Sequence, residues 1–397
     1  MGLNGVGKLT VSERARLGIS LAVTAVCLAG FLAARSPRIL GLVPPAEARV
    51  REAAWWHVTD LGVQCELCPF RCYLPEGAKG KCRVRFGADG RLWTGVWGQP
   101  VTLAVDPIEK KPVFHMLPGS AILSLATVGC PLRCGFCQNW AISQCDPETV
   151  RPPAQIVELR RTPGPGFLPP EDVVALAVRY RIPAIAYTYS EPAIFWEYMY
   201  DCAKLAKRHG LRNVVVTSGW INAEPLKRLA PYLDVVKVDL KGIRDDFYRS
   251  DVGGRVGPVL DTLRLLKRLG VLVEVVNLVV PTRNDSDADL DRLSRWVRDE
   301  LGPDTPLFFS RFHPDYRFTS VPATSVETLD RARRIALGVG LHYVYVGNVP
   351  GSEGENTYCP KDHTLLIARS GYQINRYNLV AGRCPACGTR IPGIWRR

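Results

Sequence analysis

Apolar strand-like segments alternate with amphipathic helical patterns through the middle of the chain, and this alternation constrains the fold more than any other feature. Such alternation is typical of βαβ units, which build a parallel sheet. Six units predict an α/β fold, a partial (β/α)6 TIM-like barrel with its active site at the carboxyl ends of the strands. The predicted strands are 122–126, 184–187, 214–217, 235–240, 271–280 and 307–312, and the predicted helices are 171–181, 193–209, 223–229, 258–269, 287–300 and 325–337.

Cysteines are the second informative feature, because most of the 13 in the chain occur in three tight groups. Close spacing of this kind suits thiolate ligands of a metal better than disulfide bonds, and it indicates a reducing compartment. The central group, Cys130, Cys134 and Cys137, follows the first predicted strand. Three thiolates leave one iron of a four-iron cluster without a protein ligand, unlike the four-cysteine pattern of electron-transfer clusters. A zinc loop or a set of unrelated thiols is the alternative.

This loop resembles the cluster-binding loop of the radical S-adenosylmethionine (SAM) superfamily in its C-x3-C-x2-C spacing, in the aromatic Phe136 before the last cysteine and in the strand upstream. The resemblance implies that Cys130, Cys134 and Cys137 are catalytic residues that hold a [4Fe–4S] cluster, with Phe136 beside the bound cofactor. It further implies that SAM chelates the open iron and is cleaved reductively to a 5′-deoxyadenosyl radical, which abstracts hydrogen from a substrate.

A carboxylate for SAM follows the second predicted strand. Glu191 and Pro192 stand where the superfamily has Gly-Gly-Glu-Pro, and the resemblance implies that Glu191 binds the amino group of SAM. Tyr189 and Ser190 replace the two glycines, so we expect the backbone to approach SAM differently. The alternative is a plain helix start, with Glu191 and Pro192 in the first turn.

Further SAM contacts are expected after the third, fourth and sixth predicted strands. The segment 236–241 resembles the Asp-Leu-Lys segment of pyruvate formate-lyase activating enzymes, which implies that Asp239 contacts the SAM ribose with Lys241 beside it. A carboxylate can accept hydrogen bonds from ribose hydroxyls, and a surface salt bridge is the alternative. Ser218 is expected to line the same pocket. His313 is either a contact of SAM or substrate, or a structural histidine.

A second group of cysteines precedes the barrel. Cys65, Cys68, Cys72 and Cys82 offer four thiolates. Four sulfurs can close a tetrahedral zinc site, and they can equally hold an auxiliary iron–sulfur cluster. Free structural cysteines are the alternative. We expect a bound metal here, whose identity the sequence leaves open.

The third group lies in the tail, where Cys359 is separated by some twenty residues from Cys384 and Cys387. Two such knuckles suggest a zinc ribbon, but Asp362 stands where a second cysteine of the first knuckle is expected. Zinc accepts oxygen and nitrogen donors, so Asp362 or His363 can complete the site. We take His363 as the fourth ligand. A degenerate, empty site is the alternative.

With these flanking groups included, residues 57–397 are similar to the AmmeMemoRadiSam-system radical SAM enzymes, relatives of pyruvate formate-lyase activating enzymes. The resemblance is carried by Cys-x-Leu-Cys-Pro at 65–69, Tyr-Thr-Tyr-Ser-Glu-Pro at 187–192, 310–316 and the tail 356–395. It implies a glycyl-radical activase or a protein modifier. Its expected partners are AMMECR-like and Memo-like proteins or a glycyl-radical enzyme, together with a flavodoxin- or ferredoxin-like electron donor. An inactive zinc-binding scaffold on the same barrel is the alternative.

The amino terminus carries an apolar run from Leu17 to Ala34 with basic residues on both sides. Its length is near the minimum for a membrane span, so we expect an anchor, with a cleaved signal peptide or a buried helix as alternatives. The oxygen-sensitive catalytic domain is expected to face the cytoplasm. The net charge of +13 comes from basic residues that are scattered along the chain rather than clustered, so we do not expect nucleic-acid binding. The predicted organisation is an anchor or signal-like segment at 1–35, a linker at 36–56, a cysteine-rich region at 57–118, the barrel at 119–350 and a zinc-ribbon-like tail at 351–397.

Overall fold

Two small antiparallel sheets form the first part of the described chain. The computed structural model describes residues 50–149 and 167–395, which belong to one compact unit. The strands are β1 (Arg51–Glu52), β2 (Trp56–Thr59), β3 (Gly62–Cys65), β4 (Tyr73–Leu74), β5 (Arg85–Ala88) and β6 (Arg91–Thr94). One sheet has the order β1–β6–β5 and the other the order β2–β3–β4. β1 pairs with β6 and lies within the segment 36–56 that the sequence predicts as a linker.

An eight-stranded sheet forms the centre of the fold. Its strands are β7 (Thr102–Pro107), β8 (Ala121–Ala126), β9 (Ala184–Tyr187), β10 (Arg212–Thr217), β11 (Val235–Asp239), β12 (Leu272–Val279), β13 (Leu307–Arg311) and β14 (Val344–Gly347). They lie side by side in chain order, and β7 and β14 are the two edges. Strands β8 to β14 run parallel, and β7 runs antiparallel to β8.

The sheet confirms the predicted α/β fold of an open, partial barrel, and it adds two strands to the six expected. β14 has four residues and β7 has six. Over so few residues, periodicity alone does not distinguish a strand from another buried segment. The six predicted strands agree with the structure to within two residues at each end.

Helices connect successive strands and cover the sheet. They are α1 (Trp140–Ser143), α2 (Pro170–Arg179), α3 (Trp196–Arg208), α4 (Ala223–Leu229), α5 (Asp245–Phe247), α6 (Val256–Arg268), α7 (Asp287–Leu301) and α8 (Val326–Gly338), with 3₁₀ turns at Ile108–Lys110, Pro192–Phe195, Ala230–Tyr232 and Glu353–Glu355 and a π-helical turn at Tyr248–Val252. In α7, capping residues explain why the predicted helix at 287–300 agrees with the observed one. The hydroxyl of Ser286 accepts the backbone N–H of Asp289, which caps the first turn, and Gly302 follows the last residue.

The parallel strands form the core because both of their faces are covered. All four residues of β9 are buried, as are all but the last of the five in β13. Strands that are buried on both faces read as continuous apolar runs rather than alternating ones. Each large apolar side chain buried in this way contributes about 1.5–3 kcal/mol to folding.

The tail forms a third antiparallel sheet that shares its core with the barrel. Its strands are β15 (Thr357–Tyr358), β16 (Leu365–Ser370) and β17 (Gln373–Tyr377). The buried Arg369 of β16 donates hydrogen bonds to the carbonyl oxygen of Phe114 (3.1 Å) and to the hydroxyl of Thr357 (2.8 Å). Glu274 of β12 accepts the backbone N–H groups of Phe114 and His115, both at 3.0 Å. The tail therefore packs as part of the barrel.

The expected membrane anchor requires a correction. Within residues 50–149 and 167–395, no helix is both long enough and apolar enough to cross a bilayer. The run from Leu17 to Ala34 lies outside the described residues. The expectation of a membrane-anchored protein therefore finds no support in the part of the chain that the structure describes.

Candidate active site

The cysteine loop leaves the carboxyl end of β8 and is held by backbone hydrogen bonds to the π-helical turn. The N–H groups of Arg133 and Gly135 donate to the carbonyl oxygens of Val252 (2.8 Å) and Asp251 (2.9 Å). Gly135 also leaves room for an aromatic ring, because a Cβ atom there would lie 2.3 Å from the ring of Phe318. The loop is thus fixed from two sides.

Three thiols of this loop, those of Cys130, Cys134 and Cys137, border one cavity. Their sulfur atoms, all in the described part of the chain, do not all lie within 4.8 Å of one another. Ligands of one tetrahedral zinc ion would be about 4 Å apart, so the spacing argues against a single zinc ion. Burial raises the pKa of the Cys134 thiol to about 11, and a metal that binds it displaces the proton. The donor set of three thiols at one cavity fits a [4Fe–4S] cluster.

The cavity has a volume of about 370 Å³, which lies within the range of small-molecule sites. It opens at the carboxyl ends of the parallel strands, where a barrel places its active site. It brings together most of the residues that the sequence predicts for the cluster and for SAM: Cys130, Cys134, Phe136, Cys137, Glu191, Ser218, Asp239 and Lys241. His313 does not border it.

His313 is exposed, and a ring nitrogen lies 3.5 Å from the neighbouring carbonyl oxygen of Pro314. The structure places Ser310, three residues earlier in β13, at the cavity instead. The structure therefore does not bring His313 to this cavity, because the strand ends at Arg311, two residues before it.

Glu191 begins the 3₁₀ turn Pro192–Phe195, and its carboxylate accepts four hydrogen bonds from the chain. Oε1 accepts the backbone N–H of Ala193 (3.1 Å) and the hydroxyl of Thr217 (2.5 Å). Oε2 accepts the backbone N–H of Ser218 (2.8 Å) and its hydroxyl. Burial raises the pKa of Glu191, and these hydrogen bonds oppose the shift. The carboxylate is therefore oriented before any ligand binds.

Asp239 ends β11 between two lysines. Its carboxylate accepts a hydrogen bond from Nζ of Lys237, and Oδ2 lies 3.5 Å from Nζ of Lys241. Burial alone would raise the pKa of Asp239, but the two ammonium groups outweigh it and hold the pKa below its ordinary value. Lys237 was not among the predicted residues. It lies two residues before Asp239 on the same strand, so the period of two places both side chains on one face.

Tyr189 occupies a glycine position of the superfamily pattern and retains a left-handed backbone, with φ of 68°. That region normally favours glycine, so the chain keeps the glycine-like path that we expected to change. The Tyr189 hydroxyl donates to Asp106 and accepts from Nζ of Lys111 (2.8 Å). Burial lowers the pKa of Lys111 to about 8, against the opposing effect of Asp106. Lys111 and Tyr189 both border the cavity, and neither was predicted as a site residue.

The tail group is compact. The Sγ atoms of Cys359 and Cys387 are 3.5 Å apart, and Sγ of Cys384 lies 3.5 Å from a carboxylate oxygen of Asp362. All four ligand atoms lie within 4.8 Å of one another, which fits one ion. His363, which we took as the fourth ligand, is not part of this group. In its place the structure brings the carboxylate of Asp362 to the sulfurs.

Comparison with known proteins gives several matches. A family model for the radical SAM superfamily matches residues 124–297. A protein of Methanocaldococcus jannaschii described as uncharacterised is 46% identical over 345 residues, which is 86% of this chain and 99% of that protein. The pyruvate formate-lyase-activating enzyme of Clostridium pasteurianum is 23% identical over 215 residues, 50% of this chain and 83% of that enzyme. The crystal structure of a radical SAM methyltransferase from Sphaerobacter thermophilus matches with a TM-score of 0.43 and 20% identity, over 60% of this chain and 70% of that one.

An open α/β barrel with three thiols at one end of a cavity defines a class of cluster-dependent enzymes. The chain belongs to the radical SAM superfamily. Membership supports chemistry that cleaves SAM through a radical, with a [4Fe–4S] cluster and SAM as the cofactors.

Proposed function

We propose that this enzyme uses a SAM-derived radical to abstract hydrogen from a protein, as a glycyl-radical activase or another protein modifier. One observation carries the proposal: a single cavity is bordered by the three loop thiols, Glu191 and Asp239. Distant similarity to two pyruvate formate-lyase-activating enzymes, at 23% and 26% identity, supports a protein substrate. The inactive zinc-binding scaffold has no comparable support, because it leaves this cavity unexplained.

Three thiolates of the cysteine loop would hold the [4Fe–4S] cluster, which supplies the electron that cleaves SAM when both are bound. Glu191 would receive the ammonium group of SAM. Its four acceptor positions are occupied by the chain, but one donor is the rotatable hydroxyl of Ser218. A charged ammonium donor forms a stronger hydrogen bond than a neutral hydroxyl. The Ser218 hydroxyl therefore yields, while the backbone donors keep the carboxylate in place.

Asp239 would accept hydrogen bonds from the ribose hydroxyls of SAM. Lys237 and Lys241 keep it ionised, and an ionised carboxylate accepts without donating. Replacing Asp239 by Asn removes charged hydrogen bonds that are each worth about 1.5–3 kcal/mol. We expect D239N to weaken SAM binding by roughly 10- to 100-fold.

The expected electron donor is a protein of the flavodoxin or ferredoxin type. The expected substrate is a glycyl-radical enzyme, or an AMMECR-like or Memo-like protein. The resemblance of residues 57–397 to the AmmeMemoRadiSam-system enzymes supports this choice. Adding each candidate to the reduced enzyme and SAM distinguishes them. A true substrate raises 5′-deoxyadenosine formation, and an activase also produces a glycyl-radical signal in the electron paramagnetic resonance spectrum of its partner.

Anaerobic reconstitution of the full chain tests the activity itself. With dithionite and SAM, the wild type and Cys145→Ala should form 5′-deoxyadenosine, and Cys134→Ala should not. Cys145 is a matched control because it is a free thiol outside the three groups. Equal SAM cleavage by Cys134→Ala and a wild type that carries its full cluster would contradict the proposal.

We also propose that Cys359, Asp362, Cys384 and Cys387 bind one zinc ion that stabilises the tail. Three thiolates and one carboxylate form a closed tetrahedral set of the structural type. The compact spacing of the four ligand atoms supports a single ion rather than a cluster.

A further inference from the structure

Four cysteines outside the active site surround a second cavity. The head cysteines (Cys65, Cys68, Cys72 and Cys82) are all free thiols, and all except Cys72 are buried. The rest of the lining is mainly apolar and includes Leu67, Leu74, Pro131 and Ile194. Four convergent thiols in an apolar enclosure form a donor set for a soft metal.

The spacing of the head cysteines is too wide for one zinc ion. All four belong to the described part of the chain, and no three of their sulfur atoms lie within 4.8 Å of one another. Four sulfurs at the zinc–thiolate distance would be about 4 Å apart, as in the tail group. The thiolates of a four-iron cluster stand roughly 6 Å apart. The sulfur atoms of Cys72 and Cys82 both face Gly80, since a Cβ atom there would lie 3.7 Å from each of them.

Arg85 provides an independent observation. The residue is 1% exposed and borders the same cavity. Its Nη1 atom donates to Glu197 (2.9 Å), and its Nη2 atom donates to the carbonyl oxygen of Ala54. Its Nε atom is buried and has no hydrogen-bond partner among the described residues. A buried N–H group without an acceptor is costly, and a sulfur atom of a bound cluster would be an acceptor for it.

We propose that the head cysteines ligate a second [4Fe–4S] cluster, with the Nε–H group of Arg85 donating to its sulfur. Four thiolates occupy all four irons, whereas the loop of Cys130 leaves one iron open. The head cluster therefore exchanges electrons and binds neither SAM nor substrate.

The two cluster sites are neighbours. A Cβ atom at Gly129 would lie 2.6 Å from the carbonyl oxygen of Cys82, and Arg133 donates to the carbonyl oxygen of Lys81 at 2.8 Å. Standard bond lengths then limit the separation of the Cys82 and Cys130 sulfur atoms to roughly 16 Å. A ferredoxin- or flavodoxin-type donor reduces the head cluster by one electron. Transfer of that electron oxidises the head cluster and reduces the SAM-binding cluster by one electron.

Metal analysis after anaerobic reconstitution of the full chain tests the ligation without depending on SAM cleavage. The wild type should hold about eight irons and eight sulfides, and the triple variant Cys130→Ala/Cys134→Ala/Cys137→Ala about four of each. The reduced triple variant should give an electron paramagnetic resonance signal that SAM does not shift. Cys65→Ser/Cys68→Ser should lose about four irons relative to the wild type while its zinc content stays constant.

Two results would overturn the ligation: a triple variant without iron, or a zinc ion that is lost when Cys65 and Cys68 are replaced. Mössbauer spectra of the wild type give a second measurement if a variant fails to fold. Two fully occupied cluster populations are expected there, and a single population refutes the second cluster.

A single-turnover experiment tests the electron transfer and rests on the proposed SAM cleavage. The wild type is reduced fully, the free reductant is removed, and SAM is then added. Two stored electrons should give about two equivalents of 5′-deoxyadenosine, and Cys65→Ser/Cys68→Ser should give at most about one. One equivalent from a doubly reduced wild type would refute the transfer, whereas no product at all would refute the proposed function instead.

Discussion

Replacing Gly135 by alanine introduces a methyl group that overlaps the edge of the Phe318 ring. The new Cβ atom would lie 2.3, 2.8 and 3.1 Å from three ring carbons. The loop cannot shift away freely, because Gly135 donates to the carbonyl oxygen of Asp251 (2.9 Å) and accepts from the N–H of Arg317 (3.0 Å). Overpacking of this kind costs about 1–3 kcal/mol. We expect G135A to lower the free energy of unfolding by that amount and to weaken cluster retention by roughly 5- to 150-fold.

The assay measures iron retained after desalting and the free energy of unfolding in urea. Phe318→Leu makes room for the methyl group, so the double variant should lose less stability than the two single changes together. Gly257→Ala is the matched control, because nothing lies within 4 Å of a Cβ atom at this helical glycine, and it should gain about 0.5–1 kcal/mol. Wild-type behaviour of G135A, or strictly additive losses in the double variant, would refute the steric reasoning.

Three further predictions concern the side chains of Glu274, Asp362 and Tyr189. Burial raises the pKa of Glu274 from 4.5 to about 7, so the folded chain binds its proton more tightly than the unfolded chain does. The contribution, about 3 kcal/mol at most, is present below pH 4.5 and is lost as the pH rises through about 7. Urea unfolding at several pH values should show this decline for the wild type and not for Glu274→Gln. Asp362→Ala should lower zinc content, measured by metal analysis, and unchanged zinc would exclude the carboxylate as a ligand. Tyr189→Phe removes the hydroxyl between Asp106 and Lys111 and should cost about 1–3 kcal/mol in chemical denaturation, whereas an unchanged midpoint would show that the ion pair does not need the hydroxyl.

Local pattern was sufficient to predict most of the fold. Strands such as Ala184–Tyr187 are continuous apolar runs, and helices such as Asp287–Leu301 carry a capping serine before them and a glycine after them. Val344–Gly347 was missed because four apolar residues near the end of the pattern do not specify a strand on their own. Its position is determined by pairing with Leu307–Arg311, which is a tertiary effect.

The site residues were predictable where their spacing in the sequence is enough to indicate what they bind. The thiols of the Cys130 loop and the carboxylate of Glu191 meet at one cavity because parallel strands end at the same edge. The choice between Asp362 and His363 depends on the direction of side chains in a turn, which residue order does not encode. The distances between the head cysteines also depend on how separate segments fold together, so the sequence left zinc and a cluster open.

Residues 392–394 form hydrogen bonds with residues 115–117, which lie far away in the sequence. The N–H of Ile394 donates to the carbonyl oxygen of His115, and the N–H of Leu117 donates to that of Ile394, both at 2.7 Å. A ring nitrogen of His115 lies 2.6 Å from the carbonyl oxygen of Pro392, across 277 positions of sequence. Contacts of such long range form late and slow the folding of the chain. On the ribosome, residues 115–117 can form these hydrogen bonds only after residues 392–394 have emerged, so this junction is made after all the parallel strands have been synthesised.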